Sequence, residues 1–254
     1  MELFDLRGRV AIVTGGNGGI GLGMAKGLAK AGASIVVAGR NRDKNDAAVK
    51  ELAALGVAAA AVVADVTQES DCRAMVAEAV DRFGRVDILI NNAGTNIRKE
   101  PQDYGLAEWH TIIQTNLTSA FMCAQAVYPA LKNAGGGKII NVGSMMSIFG
   151  ASFAAPYGAS KGGIVQMTKS LAAAWAKDNI QVNAVLPGWI DTELTRQGRK
   201  TLPGLYERVV ARTPAGRWGV PEDLAGIAVF LASPASDFVT GTAIPVDGGY
   251  AAQG

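Results

Sequence analysis

Val10-Ala-Ile-Val-Thr-Gly-Gly-Asn-Gly-Gly-Ile-Gly21 is the stretch whose reading decides how this chain folds. A β-branched apolar run breaks into glycine, and Ile20, Met24, Gly27, Leu28 and Ala31 then recur at the i, i+4, i+7, i+8, i+11 spacing of an amphipathic helix. A strand that turns through glycine directly into a helix brings unpaired N–H groups and a positive dipole end to the turn. Glycine there lets the backbone approach a pyrophosphate. At strand one the turn therefore reads as a dinucleotide site, although similar turns also serve flavin, S-adenosylmethionine and purely structural roles.

Outward from that turn, short apolar runs alternate with segments of helical period. The runs begin at Val10, Ser34, Ala59, Val86, Lys138, Ile180 and Thr242, and predict seven strands of a parallel sheet wrapped by helices. Pro245 cannot donate to a ladder, so the last strand is expected at an edge. Ile164, Met167, Leu171 and Trp175 mark one later helix, and Leu224, Ile227, Ala228 and Leu231 another. No linker interrupts the alternation, which predicts a single domain over residues 1–254. Residues 190–215 show no clear strand and read as a substrate-binding lid.

With 254 residues, 49% hydrophobic and 18% charged, the chain is too apolar and too weakly charged to be disordered. A net charge of +2 without a Lys/Arg block argues against a nucleic-acid partner. Cys72 and Cys123 have neither CxxC spacing nor a histidine cluster, so they read as buried reduced thiols and no metal site is expected. His110, the single histidine, reads as a surface or interface residue. The stretch from Ile139 to Ser160 is uncharged, yet Asn141, Ser144, Pro156 and Gly158 make it unfit to cross a membrane. The N-terminus lacks the basic start and apolar run of a signal peptide, and a cytoplasmic protein without a membrane partner is expected.

The glycine turn is T-G-x-x-x-G-x-G, with Gly15, Gly19 and Gly21. Together with Asn91-Asn-Ala-Gly94, Ser144, Tyr157-Gly-Ala-Ser-Lys161 and Pro187-Gly188, it resembles the short-chain dehydrogenase/reductase family from Gly8 to Gly249. The resemblance implies an α/β fold: a Rossmann-type, doubly wound domain whose seven-stranded parallel sheet has the order 3-2-1-4-5-6-7, with helices on both faces. It also implies catalysis by Asn116, Ser144, Tyr157 and Lys161. Tyr157 and Lys161 are four apart on a helical face, where an ammonium should bring the phenol down from its ordinary pKa of about 10. Asn116 would order a water relay behind the lysine.

By the same resemblance the cofactor would meet Gly15, Asn17, Gly19, Ile20, Gly21, Gly39, Arg40, Asn41, Asp65, Val66, Asn91, Ala93, Gly94, Tyr157, Lys161, Pro187, Gly188, Ile190 and Thr192. NAD-selective sites carry Asp or Glu at the end of strand two, about 20 residues after the glycines. Here Gly39 is followed by Arg40, Asn41 and Arg42, so NADP(H) is expected to be preferred, with NAD(H) also accepted. Exchanging Gly39→Asp and Arg40→Ile should reverse that preference. Arg98, Met146 and Trp189 are candidates for the substrate pocket, Arg98 through a carboxylate.

Along its length the chain looks closest to the sugar, sugar-acid and polyol dehydrogenases of carbohydrate metabolism in this family. A 3-oxoacyl reductase and a catalytically silent dinucleotide-binding regulator are the alternatives. Ala120, Ala124, Ala159, Gly163, Ala172 and Ala174, on the helices near Leu106 and Tyr157, together with the C-terminal strand region, lead to the expectation of a homotetramer.

Overall fold

All seven apolar runs pair in one sheet of order β3-β2-β1-β4-β5-β6-β7, every pairing parallel. The strands are β1 (Val10–Thr14), β2 (Ser34–Gly39), β3 (Ala59–Val63), β4 (Ile88–Asn91), β5 (Gly137–Val142), β6 (Ile180–Pro187) and β7 (Ala243–Val246). The structure is a computed structural model describing residues 2–201 and 203–253. Met1, Leu202 and Gly254, which the single-domain and lid spans include, lie outside the described residues. Strand β7, with Pro245, is an edge, as its missing N–H requires.

Alternation along each strand sends side chains to opposite faces, and both faces are buried. Val13, Ile35 and Val37 join Met24 and Leu28 of α1 (Gly19–Lys30) and Leu231 of α9 (Ala225–Ala232) in one core layer. Ile12, Val36 and Leu89 point the other way, toward Met75 of α3 (Glu69–Phe83), Val127 and Leu131 of α5 (Ser119–Asn133) and Leu171 of α6 (Ala155–Trp175). The remaining helices are α2 (Arg42–Ala53), α4 (Leu106–Ile113) and the pair α7 (Glu193–Thr201) and α8 (Leu205–Arg212), which fills the segment without strands. Among the described residues no helix is long and apolar enough to cross a membrane.

Strand order reverses between β1 and β4, and a crevice opens at their carboxyl ends, the place where such sheets bind ligands. Thr14 closes its floor. Its hydroxyl donates to the Ile90 carbonyl at 3.2 Å and accepts from the N–H groups of Asn92 and Ala93 at 3.0 and 3.1 Å.

The two cysteine sulfurs, 51 residues apart in sequence, meet in the layer between α3 and α5. Cys123 Sγ lies 3.5 Å from Cys72 Sγ, both thiols free and buried. Of the alanines taken as an interface, Ala120, Ala124 and Ala172 are buried in this chain's own core, and a Cβ on Gly163 would lie 2.7 Å from Leu117. Only Ala159 and Ala174 of that set are exposed.

Candidate active site

Gly15 and Gly19 have φ of +62° and +50°, and α1 opens at Gly18 with no side chain capping its first N–H groups. A Cβ on Gly21 would lie 2.4 Å from the Gly15 carbonyl oxygen and from Asn92 Nδ2. The main chain therefore packs too closely at Gly21 for any side chain, and the uncapped N–H groups that open α1 make a cradle that fits a pyrophosphate. Ile20 faces inward onto the core, and the Thr192 methyl lies 3.2 Å from where a Gly19 Cβ would stand, so the residue just before α7 leans over the turn.

At the end of β2, Arg40 is exposed, and among the described residues no carboxylate pairs with it. Asn41 spends its Oδ1 capping α2 at the Lys44 N–H, 2.9 Å away. Asp65 accepts from the Thr67 N–H and hydroxyl at 3.0 and 2.8 Å. Burial pushes its carboxyl up, but the Thr67 hydrogen bonds and the nearby Arg40 charge outweigh that and hold it below the ordinary value. Val66 is buried beside it.

Asn91 points its side chain inward. Its side chain is buried and donates to Asn141 Oδ1 at 2.9 Å and the Ala120 carbonyl at 3.2 Å, tying β4 to β5 and α5. A strand buried on both faces turns this amide inward, so only its main chain can reach a ribose. The neighbouring Asn92 binds the Thr14 and Gly15 carbonyls, a main-chain tie. Ala93 and Gly94 continue into the crevice. Pro187 ends β6, and Gly188 donates its N–H to the Val246 carbonyl at 3.0 Å. Ile190 is buried and bridges Gly219.

Tyr157 and Lys161 share one face of α6, with the ammonium 5.7 Å from the ring centroid. Lys161 Nζ donates to the Val142 carbonyl at 2.7 Å, and burial lowers its pKa to about 8. The expected depression of the phenol is not found. Burial pushes Tyr157 above its ordinary pKa, against the opposing pull of the Ser144 hydrogen bond and the Arg98 charge. A phenolate loses more on leaving water than these neighbours return, and Lys161, 5.7 Å from the ring centroid, spends one N–H on the Val142 carbonyl.

Ser144 caps a 3-10 turn (Met145–Ser147), its Oγ accepting from the Met146 N–H at 3.1 Å. Ser147, unremarkable in sequence, ties that turn to α6 by donating to the Lys161 carbonyl at 2.7 Å. Asn116 lies in a π-helical turn (Gln114–Thr118) joining α4 to α5. Its amide grips both main-chain groups of Thr95, at 2.8 and 2.9 Å, and donates to Ser160 Oγ at 3.1 Å. A Cβ on Gly94 would lie 3.3 Å from Asn116 Oδ1 and 3.8 Å from Lys161 Nζ, so the glycine leaves the space between them open.

Beyond Thr95 the loop carries Arg98. Tyr104, which carried no signal in the sequence, donates to the Ile97 carbonyl at 2.6 Å and also reaches the Phe153 carbonyl, while the Lys99 N–H donates to Phe153 at 3.2 Å. The partly buried Arg98 guanidinium acts on the Tyr157 charge and lies beneath Gly198 of α7, whose Cβ would stand 3.0 Å from its Cζ.

Neighbouring arginines are committed elsewhere. Arg196 and Arg199 pair with Asp191, Arg217 pairs with Asp223, and Arg212 stacks between Phe149 and Tyr250. Among the described residues no carboxylate pairs with Arg98. Trp189 packs against Trp218, ring centroids 5.4 Å apart, in a small core under α8, and its Nε1 is buried without a hydrogen-bond partner among the described residues. Met146 lies partly buried beside Met145 and Leu186. His110 is exposed on α4.

A family model described as enoyl-(acyl carrier protein) reductase matches residues 15–251. The chain is similar to the 2-dehydro-3-deoxy-D-gluconate 5-dehydrogenase of Dickeya dadantii, 42% identical over 254 residues that cover 100% of this chain and 99% of the relative. Among solved structures, a gluconate 5-dehydrogenase from Burkholderia cenocepacia in complex with NADP and tartrate matches with a TM-score of 0.95 and 41% identity, covering 100% of this chain and 99% of that one. A short-chain type dehydrogenase/reductase from Mycobacterium marinum matches with a TM-score of 0.93 and 37% identity over 98% of each chain.

Proposed function

The chain belongs to the short-chain dehydrogenase/reductase family and is an NAD(P)-dependent oxidoreductase; from that premise we propose that it interconverts a ketone and a secondary alcohol on a sugar acid, preferring NADP(H) and also accepting NAD(H). Tyr157 gives its proton to the carbonyl oxygen, or takes one from the alcohol. Ser144, whose oxygen already accepts the Met146 N–H, turns its own hydrogen toward the same oxygen and stabilises the charge developing there. A bound nicotinamide supplies or accepts the hydride. Lys161 holds the ribose, and Asn116, having locked Thr95, keeps the crevice open beside it. Arg40 takes the 2′-phosphate. Residues 190–215 form the lid of this single domain.

The observation that carries the substrate class is Arg98. A partly buried guanidinium whose charge reaches the Tyr157 phenol, with no carboxylate partner among the described residues, suits a substrate that brings one. The related 2-dehydro-3-deoxy-D-gluconate and gluconate dehydrogenases, and the NADP and tartrate held by the Burkholderia structure, support the same reading. An acyl ketone would leave that guanidinium unpaired, which disfavours the 3-oxoacyl alternative.

The test is a panel of keto-sugar acids, neutral keto-sugars and acyl ketones, followed by NADPH and NADH absorbance. Arg98→Ala should raise KM for the best acid about tenfold or more, as expected for a charge-assisted contact of about 1.5–3 kcal/mol, and leave a neutral ketone nearly unaffected. An unchanged KM for the acid would remove the carboxylate role. A homotetramer is part of the proposal, supported by Leu106, Trp109 and Phe121, exposed on α4 and α5, and by the fully exposed Phe238. Light scattering showing a monomer at micromolar concentration would end it.

A further inference from the structure

Asn45, on the first turns of α2, is fully buried, and nothing in the sequence marks it. Its Nδ2 donates to the Gly39 carbonyl at 2.8 Å and to the Val62 carbonyl at 3.2 Å. Carbonyl oxygens only accept, so Asn45 must turn its amino group to them and its oxygen the other way. That oxygen meets Asn17 Nδ2 at 2.6 Å. Asn17, in turn, must present its amino side, and the second hydrogen of that group is left for the space at the end of β2.

This is where an NAD-selective site keeps its carboxylate. Here a Cβ on Gly39 would lie 2.7 Å from Asn17 Nδ2 and 2.9 Å from Asn45 Oδ1. The position lacks an acidic residue and is also physically filled, by the Asn17 amino group and by the Asn45 oxygen to which it donates. A donor beside Arg40 suits a group that only accepts, such as a 2′-phosphate, and the Asn45 oxygen beside it is already engaged by Asn17.

We propose that Asn45 is a positioning residue for cofactor discrimination: two main-chain carbonyls fix its orientation, and it in turn holds the Asn17 amide, donor side forward, in the space above Gly39. The inference rests on the NADP(H) reading. It also corrects the expectation that Gly39→Asp with Arg40→Ile reverses the preference, because a side chain at 39 collides with the Asn17–Asn45 pair.

Fluorescence titration with NADPH and NADH tests it on the full chain. In Gly39→Asp/Arg40→Ile, NADPH affinity should fall at least about tenfold with no gain for NADH. Adding Asn17→Gly should raise NADH affinity at least about fivefold over that double variant. If the double variant gains NADH affinity as fully as the triple one, the filled-space argument is overturned. Asn45→Leu in the native background should weaken NADPH several-fold more than NADH. A loss equal for both cofactors, in step with a lower melting temperature, would reduce Asn45 to a structural residue. A native chain that binds NADH more tightly would sink the NADP(H) reading alone, leaving the double and triple variants to judge the relay.

Discussion

The two halves of the crevice are built by opposite means. On the cofactor side, β1 to β3, the surface is main chain with side chains removed: Gly15 and Gly21 in the turn, Gly39 at the strand end, and buried amides filling what is left. On the substrate side the working groups are side chains, Tyr157 and Lys161 on α6, Ser144 at its turn and Arg98 on a loop pinned by hydrogen bonds, at Thr95 by Asn116 and at Ile97 by Tyr104. The first half should be damaged by adding atoms, the second by taking them away.

The largest effect expected from removal is at Tyr157. Tyr157→Phe should lower kcat by about a thousand-fold or more, the usual contribution of a proton donor that acts with its neighbours, while NADPH affinity stays within about twofold by titration. A fully active variant would remove the mechanism. Addition should tell most at Gly21. Gly21→Ala forces a Cβ to within 2.4 Å of the Gly15 carbonyl. An overpacking cost of about 2 kcal/mol corresponds to roughly thirtyfold weaker NADPH binding. Saturating cofactor should restore much of kcat; a Kd equal to that of the native chain would break the contrast.

Between the halves stands Lys161, held at about pH 8 by burial against an ordinary value of 10.5. The unfolded chain binds more protons there between those values, so stability should rise with pH from about 8, by at most about 1.4 kcal/mol per unit. The raised Tyr157 acts with the opposite sign above pH 10, where the folded chain keeps a proton that the unfolded chain loses. Urea midpoints between pH 7 and 10 should show the rise in the native chain and not in Lys161→Met; identical profiles would refute it. Smallest of all, Tyr104→Phe should free the Arg98 loop at a cost of about 1 kcal/mol, seen as a KM for the acid about fivefold higher with kcat and NADPH affinity unchanged.

What could be read from the sequence follows the same divide. Strands and the glycine turn are local patterns, and Pro245 announces an edge by its missing donor, so the sheet and its crevice were legible. Tyr157, Lys161 and Ser144 stand in motifs at fixed spacing on a helix and a strand end, and the fold brings them to one side of the crevice. Asn45, Tyr104 and Ser147 belong to no motif, because each acts through a contact that only the folded chain creates. The Cys72–Cys123 contact was hidden for the same reason, and the inward turn of Asn91 escaped because a strand-end amide has no periodicity to betray its direction. Tyr157 shows the remaining limit: spacing predicts which charges are neighbours, but not how much water burial removes.

The π-helical turn at Gln114–Thr118 is a matter of reach as much as of continuity. An α-helix advances about 100° per residue, and a π-turn inserts one residue without lengthening the rod by a full turn. Ile112 of α4 and Cys123, Val127 and Leu131 of α5 are all buried on either side of that turn, which takes up its extra residue without breaking the rod. Because the turn absorbs one residue locally, deleting that residue would leave a regular rod with both helices in place and cost only the bulge from which Asn116 reaches Thr95 and Ser160. The position that holds Asn116 is thus where the rod spends one residue on reach.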